Sequence, residues 1–320
     1  MTRKLALLAA LVTAAFLLSL MAGKLWIAPN AFFGTGADAA ILFELRLPRA
    51  LLGLGIGATL GLSGAVLQGY LRNPLADPAV VGVSSSAALG AVAAIVVGIA
   101  TNPLILFACA MLGAGGSMAL LAALTWRRAG TVQFILAGTV LASLSGALTA
   151  FVISVAPNPY AVAEVLDWLM GALTDRGPDD VRLALPFLAV GAAFLAASGP
   201  SLDSLALGED AARSLGVRLG RVQALVVLGT GLAVGASVAA TGVVGFVGLI
   251  VPHLLRPIFG ARPSALLLPS ALGGAALVLI ADSLCRLAPG AGEVRLGVAM
   301  ALIGAPFFLW LLLKGRVAWN

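Results

Sequence analysis

The sequence predicts an all-α, polytopic membrane protein with about ten transmembrane helices. Three observations carry this: 61% of the 320 residues are hydrophobic and only 10% are charged, mean hydropathy is +1.10, and apolar runs of membrane-crossing length recur along the chain. One crossing takes about 20 apolar residues, so ten use about 200 and leave about 120 for loops. Such a composition excludes a water-soluble globular domain, a disordered chain and a nucleic-acid binder. The net charge of +6 belongs to basic residues placed between apolar runs, where they act as topology signals.

The elements follow in order. Arg3 and Lys4 precede an apolar run at 5–23, as in a secretory signal. That run is longer than the roughly 7–15 residues of a signal core, and many further runs follow, so it reads as a retained first helix. Spans are predicted at 47–70, 83–100, 104–126 and 133–156, then at 183–198, 222–240, 265–284 and 296–313. On the second span Gly53, Gly57 and Gly61 recur every four residues and form a groove for tight packing inside the subunit; Gly297, Ala301 and Ala305 repeat the pattern on the last. The piece at 243–255 is only about 20 Å long at 1.5 Å per residue. It is crowded with Gly242, Gly245 and Gly248, and reads as a half-helix shielded by its neighbours. Residues 162–173 read as a short helix lying along the membrane surface. No period of 20–50 residues marks a repeat array.

With the first end inside, twelve of the 19 Lys and Arg residues fall at inside ends, Arg127, Arg128, Lys314 and Arg316 among them, and seven outside. That bias puts both termini in the cytoplasm. Cys109 and Cys285 offer neither a disulfide framework nor zinc spacing, and the lone His253 reads as a structural hydrogen-bonding residue, so no metal site is predicted.

None of the 13 acidic residues falls at mid-span, where an ion-coupled carrier normally keeps one. Uphill movement by this chain would therefore be driven elsewhere. The attachment point is the inside segment 201–220, where Ser201 can cap a short helix that Gly208 ends. Glu209 and Asp210 suit the positive start of a second helix, terminated by Gly216. Leu205, Leu207, Ala211, Ala212 and Leu215 are too many apolar side chains for so short an element to bury alone, leaving self-packing and partner docking equally open.

Leu207-Gly208-Glu209-Asp210-Ala211-Ala212-Arg213-Ser214-Leu215-Gly216 closely resembles the coupling helices of permease subunits of ABC importers for iron-siderophore, haem and vitamin B12, the FecCD-type, type II importers. The likeness continues in Arg46-Leu47-Pro48-Arg49, Gly64-Ala65-Val66-Leu67-Gln68, Asn73-Pro74-Leu75-Ala76-Asp77-Pro78 and Gly82-Val83-Ser84-Ser85. It continues again in Leu136-Ala137-Gly138, 242–252 with His253 and Arg256, Ala281-Asp282 with Arg286, and Gly304-Ala305-Pro306 followed by Phe308 and Lys314. The sequence departs from the family pattern at Ser86, where glycine is usual, at Val294-Arg295 in place of Leu-Pro, and at Ala261-Arg262-Pro263, which lacks a common Asp-His. In the Asn73–Asp77 run each proline disfavours helix in the residue before it, which leaves Asn73 and Asp77 extended and able to cap backbone groups.

The resemblance implies a vitamin-B12-importer-like permease fold forming one domain over 1–320, with coupling helices at 201–220. It implies a multi-pass protein of the bacterial inner membrane that pairs with a second copy of itself, binds no cofactor, and conducts a ferric siderophore, haem or cobalamin-type chelate by alternating access. ATP and Mg would be handled by an ATP-binding cassette subunit gripping Leu205, Leu207, Gly208, Glu209, Ala211, Ala212, Leu215 and Gly216, and this chain would be no enzyme. A periplasmic substrate-binding protein would dock on Arg46, Arg49 and Arg286, and Leu136, Ala137, Gly138 and Thr139 would gate the pathway. The alternative from the residues themselves is an ion-coupled secondary transporter or channel acting without an ATPase.

Overall fold

The computed structural model describes residues 2–34, 36–125, 131–290 and 292–314. Helices α1 (Thr2–Met21), α3 (Leu47–Tyr70), α4 (Val83–Val97), α5 (Pro103–Thr125), α6 (Thr131–Ser154), α8 (Pro178–Ala197), α11 (Leu219–Thr241), α12 (Val247–Phe259), α13 (Pro263–Leu287) and α14 (Leu296–Lys314) fall on the ten predicted apolar runs. Among the described residues seven are long and apolar enough to cross a membrane, and α4 and α12 are shorter apolar helices. A short α2 (Ala37–Ala40) runs through a π-helical turn, Ile41–Arg46, into α3. The amphipathic α7 (Pro159–Leu169) joins α6 to α8, and α9 (Gly199–Leu205) with α10 (Glu209–Ser214) joins α8 to α11. No strand occurs among the described residues.

Chain chemistry sets the boundaries. Prolines stand in the first turn of α3, α7, α8, α9 and α13, where a missing N–H costs no helical bond. Gly98 (φ 81°), Gly242 (φ 71°) and Gly260 (φ 93°) end α4, α11 and α12 in a conformation that glycine adopts without strain.

Helices α3 and α11 form the buried centre. α3 lies along α13 at backbone contact: a methyl on Gly57 would sit 2.8 Å from Ala275 Cα, and one on Gly61 3.0 Å from Ser270 C. Gly64 faces Gly248 of α12 in the same way, whereas Gly53 meets side chains and no backbone, those of Leu173, Leu279 and Val278 at 3.3, 3.4 and 3.8 Å. The glycine groove is thus filled from within the subunit.

Three expectations shift. α12 begins four residues later than predicted, because 242–246 is held out of helix between the positive φ of Gly242 and of Phe246 (φ 67°). The helix predicted at 162–173 is α7, started earlier by Asn158, whose Oδ1 accepts from Ala161 N at 2.9 Å. On α14, Gly297 packs as predicted, against the backbone of Met170 and Val243, whereas Ala301 and Ala305 are exposed and Gly304 packs instead, against the Phe246 ring. Trp126, Arg127, Arg128 and Arg316 lie outside the described residues, as does the side chain of Lys314.

Candidate coupling elbow, outer charge network and pathway face

Helices α9 and α10 form an elbow at Gly208, whose φ of 105° is strained for other residues. Its first arm starts at Gly199 with Ser198 ahead of it, so Ser201 lies inside the helix instead of capping it. The elbow splits the predicted coupling set. Leu205 and Ala212 are buried in the subunit core, and Ala211, Gly208 and Glu209 are half-buried. Leu207 (69% exposed) and Leu215 (64%) project outward, with Gly216 exposed beside them at φ 83°. Leu205 and Ala212 hold the elbow to its own bundle, which removes them from the surface that a partner can touch.

Asp203 fixes the elbow to the start of α13. It accepts from Ser264 N at 2.9 Å, from Ser264 Oγ at 2.6 Å and from Arg262 Nε at 2.7 Å. Partial burial alone would raise its pKa, but the Ser264 bonds and then Arg262 hold the carboxyl below the usual carboxylate range. Next to it lies a pocket of about 260 Å³ lined by Gln68, Arg72, Asn73, Ala206 and Arg256. Asn73 and Asp77 cap as their sequence suggests: Asn73 Oδ1 accepts from Leu75 N and Asp77 Oδ1 from Ala79 N, each at 2.9 Å.

At the opposite end of the bundle the three predicted docking arginines point inward. Arg49 grips Asp282 with Nε at 3.0 Å and Nη2 at 2.8 Å, and reaches Glu293 Oε2 at 2.7 Å. Arg286, 3% exposed, pairs with Asp282 Oδ2 at 3.1 Å. It also donates to Ser19 O at 2.8 Å, Ala22 O at 3.0 Å and Ser19 Oγ at 2.7 Å. Arg46, 8% exposed, donates to Leu20 O at 3.1 Å, Met21 O at 2.5 Å and Leu25 O. Arg46 and Arg286 therefore supply hydrogen bonds to the carbonyls that the last turn of α1 leaves unpaired. Glu293 also accepts from Thr174 Oγ1 at 3.1 Å; burial would raise its pKa, and the Arg49 hydrogen bond and charge bring it below the ordinary value. Contact between Arg46 or Arg286 and another protein would first require release of these carbonyls.

The predicted gate lies on α6, the least buried of the seven long spans. Leu136 and Thr139 are exposed, Ala137 is half-buried, and Gly138 is buried against the turn at Val80 and Val81. Thr139 Oγ1 is satisfied by Ile135 O at 2.9 Å. Leu136, Val140, Leu144, Leu148, Phe151 and Val155 form an uncovered apolar stripe along this helix. His253 differs from its expected role: its Nδ1 is buried without a hydrogen-bond partner, and the ring meets Phe307 edge-on at 5.9 Å. Cys109 and Cys285 are free. Among the described residues, no group of three or more His, Cys, Asp or Glu is arranged to hold a metal.

The family model of the FecCD transport family matches residues 11–314. The chain belongs to that family. Two curated FecCD relatives are the vitamin B12 import system permease proteins BtuC of Vibrio cholerae and Salmonella typhi. The first is 39% identical over 97% of this chain and 93% of its own length, and the second is 39% identical over 96% and 94%. A solved metal-chelate-type ABC transporter in an inward-facing conformation superposes with a TM-score of 0.87, 32% identity, and 98% and 99% of the two chains covered. PsaBC of Streptococcus pneumoniae, at 18% identity and a TM-score of 0.57 over 87% of this chain and 98% of its own, shares the fold.

Within this FecCD fold, sequence reasoning missed Asp203, Asp282 and Glu293 as organising residues. A signal for the last two was present: acids and arginines gather at the same ends of spans, where charge pairing shields them from hydrocarbon. For Asp203 the only hint was an acid followed, in the predicted inside loop, by Arg262-Pro263-Ser264.

Proposed function

We propose that this chain is the permease subunit of an ATP-driven importer, moving a metal chelate of the cobalamin, haem or ferric-siderophore kind across the bacterial inner membrane. The observation that carries the reading is the elbow: two leucines stand out on a glycine hinge whose base is clamped to α13 by Asp203. In a FecCD protein such a surface suits an ATPase subunit, where ATP and Mg are handled, and this chain contributes no bond chemistry of its own. BtuC relatives named for vitamin B12 import make cobalamin the first cargo to try.

The same reading places two copies around a shared pathway lined by the exposed stripe of α6, with Leu136 and Thr139 near its inner end. A force on Leu207 and Leu215 would be transmitted through Leu205, Ala212 and Asp203 into α13 and thence to α3, which with α11 forms the buried centre. Lys4 of α1 donates to Ile258 O at 2.7 Å, at the same end as the elbow, in keeping with cytoplasmic termini. A binding protein would approach the opposite end, where the arginine network stiffens the surface instead of projecting from it.

The test is reconstitution with the genomically adjacent ATPase and binding protein in vesicles. Uptake of labelled cobalamin, haem and ferric siderophore should require ATP and be indifferent to a proton or sodium gradient. Uptake that follows an ion gradient without the ATPase overturns the proposal.

A further inference from the structure

An apolar groove between α5 and α11 has a length, lining and mouth suited to one lipid chain. It encloses about 370 Å³ and is lined by Met111, Gly115, Met118 and Ala122 on α5 and by Gly220, Ala224, Val227 and Gly231, among others, on α11. Its sole polar lining side chain, Gln223, is spent on Thr125 Oγ1. From Gly220 to Leu232 the groove climbs about 18 Å at 1.5 Å per residue, close to one leaflet of a hydrocarbon core roughly 30 Å thick. Gly220 lies in the first turn of α11, at the elbow end. Arg218 and Arg221 sit there exposed, and their guanidinium groups make no hydrogen bond or ion pair with the described residues. Arg221 shares a helix face with Ala224 and Leu228 of the lining.

We infer that this groove is a binding site for an anionic phospholipid of the inner leaflet, its acyl chain between α5 and α11 and its phosphate on Arg218 and Arg221. Guanidinium groups suit a phosphate because two parallel hydrogen bonds accompany the charge. Glycine at 115 and 220 keeps the groove open: a methyl at either position would meet nothing within 4 Å, so the room is for something outside the chain. The inference takes from the proposed function only that the elbow end faces the cytoplasm.

The experiment is native mass spectrometry of the full-length protein released from nanodiscs of equal parts phosphatidylglycerol and phosphatidylcholine. The parent should retain phosphatidylglycerol selectively. The double variant Arg218→Ala/Arg221→Ala should lose that selectivity by about fivefold per arginine. Gly115→Leu, which fills the groove, should retain neither lipid there, with helix content and gel-filtration profile unchanged. Equal retention of the two lipids by the parent, or phosphatidylglycerol retention indifferent to the arginine pair, overturns the site. A change in oligomer mass in place of lipid count on Gly115→Leu assigns the groove to a second copy and also overturns it. Retention is scored without transport, so failed ATP-driven uptake with retention intact counts against the import reading alone.

Discussion

Asp282 shows how one carboxylate can decide the fate of two cations. Three guanidiniums, of Arg46, Arg49 and Arg286, gather at the outer end of the bundle against the carboxylates Asp282 and Glu293. The unmatched positive charge is met by the C-terminal carbonyls of α1, the negative end of that helix. Removing one partner of a buried pair is far costlier than replacing both, because the survivor stays buried and unpaired. Asp282→Ala should therefore lower stability by about 3–5 kcal/mol, read as a drop in the thermal midpoint in detergent; an unchanged midpoint would show that Glu293 alone holds both arginines. Asp203 makes a second prediction through pH. Its folded-state pKa is depressed, so its contribution is fully present above the unfolded value of about 3.9 and is lost as pH falls through the lower folded value. The midpoint gap between parent and Asp203→Asn should be constant from pH 7 to 5 and close only below about pH 4; a gap that widened on acidification would contradict the Ser264 and Arg262 contacts.

At the scale of the element, the elbow separates side chains that stand outward from side chains that hold it to the bundle. Leu207→Asp and Leu215→Asp, both at exposed sites, should leave the stability within about 0.5 kcal/mol of the parent while abolishing stimulation of the cognate ATPase. Leu205→Asp and Ala212→Asp bury a charge and should destabilise the subunit itself, Leu205→Asp by at least the 2–5 kcal/mol of a buried leucine truncation. Equal loss of stability at all four sites would show that the elbow lies flat on the bundle. Local chemistry made much of this legible in advance: α3 runs from Leu47 to Tyr70 as its apolar pattern predicts, and Gly208 and Gly216 fall where the chain must turn. The direction of an arginine was not legible. Arg46 and Arg286 turn inward because carbonyls 26 and 267 residues away stand opposite them, and no periodicity encodes such a meeting. The late start of α12 has the same origin, since Gly242 is pinned by close approach to Trp168 and Gly171.

For the whole molecule, the proposed pairing turns on which apolar face is left for a second copy. Both α5 and α6 expose leucines, and the proposed function assigns the α6 face to the pathway and the α5 face to lipid. Helix α5 turns Leu120 and Leu124 outward beside the groove shared with α11, whereas α6 presents a straight stripe from Leu136 to Val155 next to the turn at Val80 and Val81. Successive stripe residues are mostly four apart, about 6 Å along the axis, so a symmetric pairing would bring equivalent positions of two copies together. In a background with Cys109 and Cys285 replaced by serine, Leu144→Cys or Leu148→Cys should give a disulfide-linked dimer on mild oxidation in the membrane, and Leu124→Cys should not. A cysteine pair spans only about 4.4–6.8 Å between Cα atoms, so the reaction reports contact and not mere crowding. If ATP binding in a partner subunit swings the two copies, the Leu144 and Leu148 links should also respond oppositely to a trapped nucleotide state, one gaining yield as the other loses it. Dimers formed equally from Leu124 would place the two-fold axis on α5, and the pathway would then have to run along the groove that the lipid inference fills.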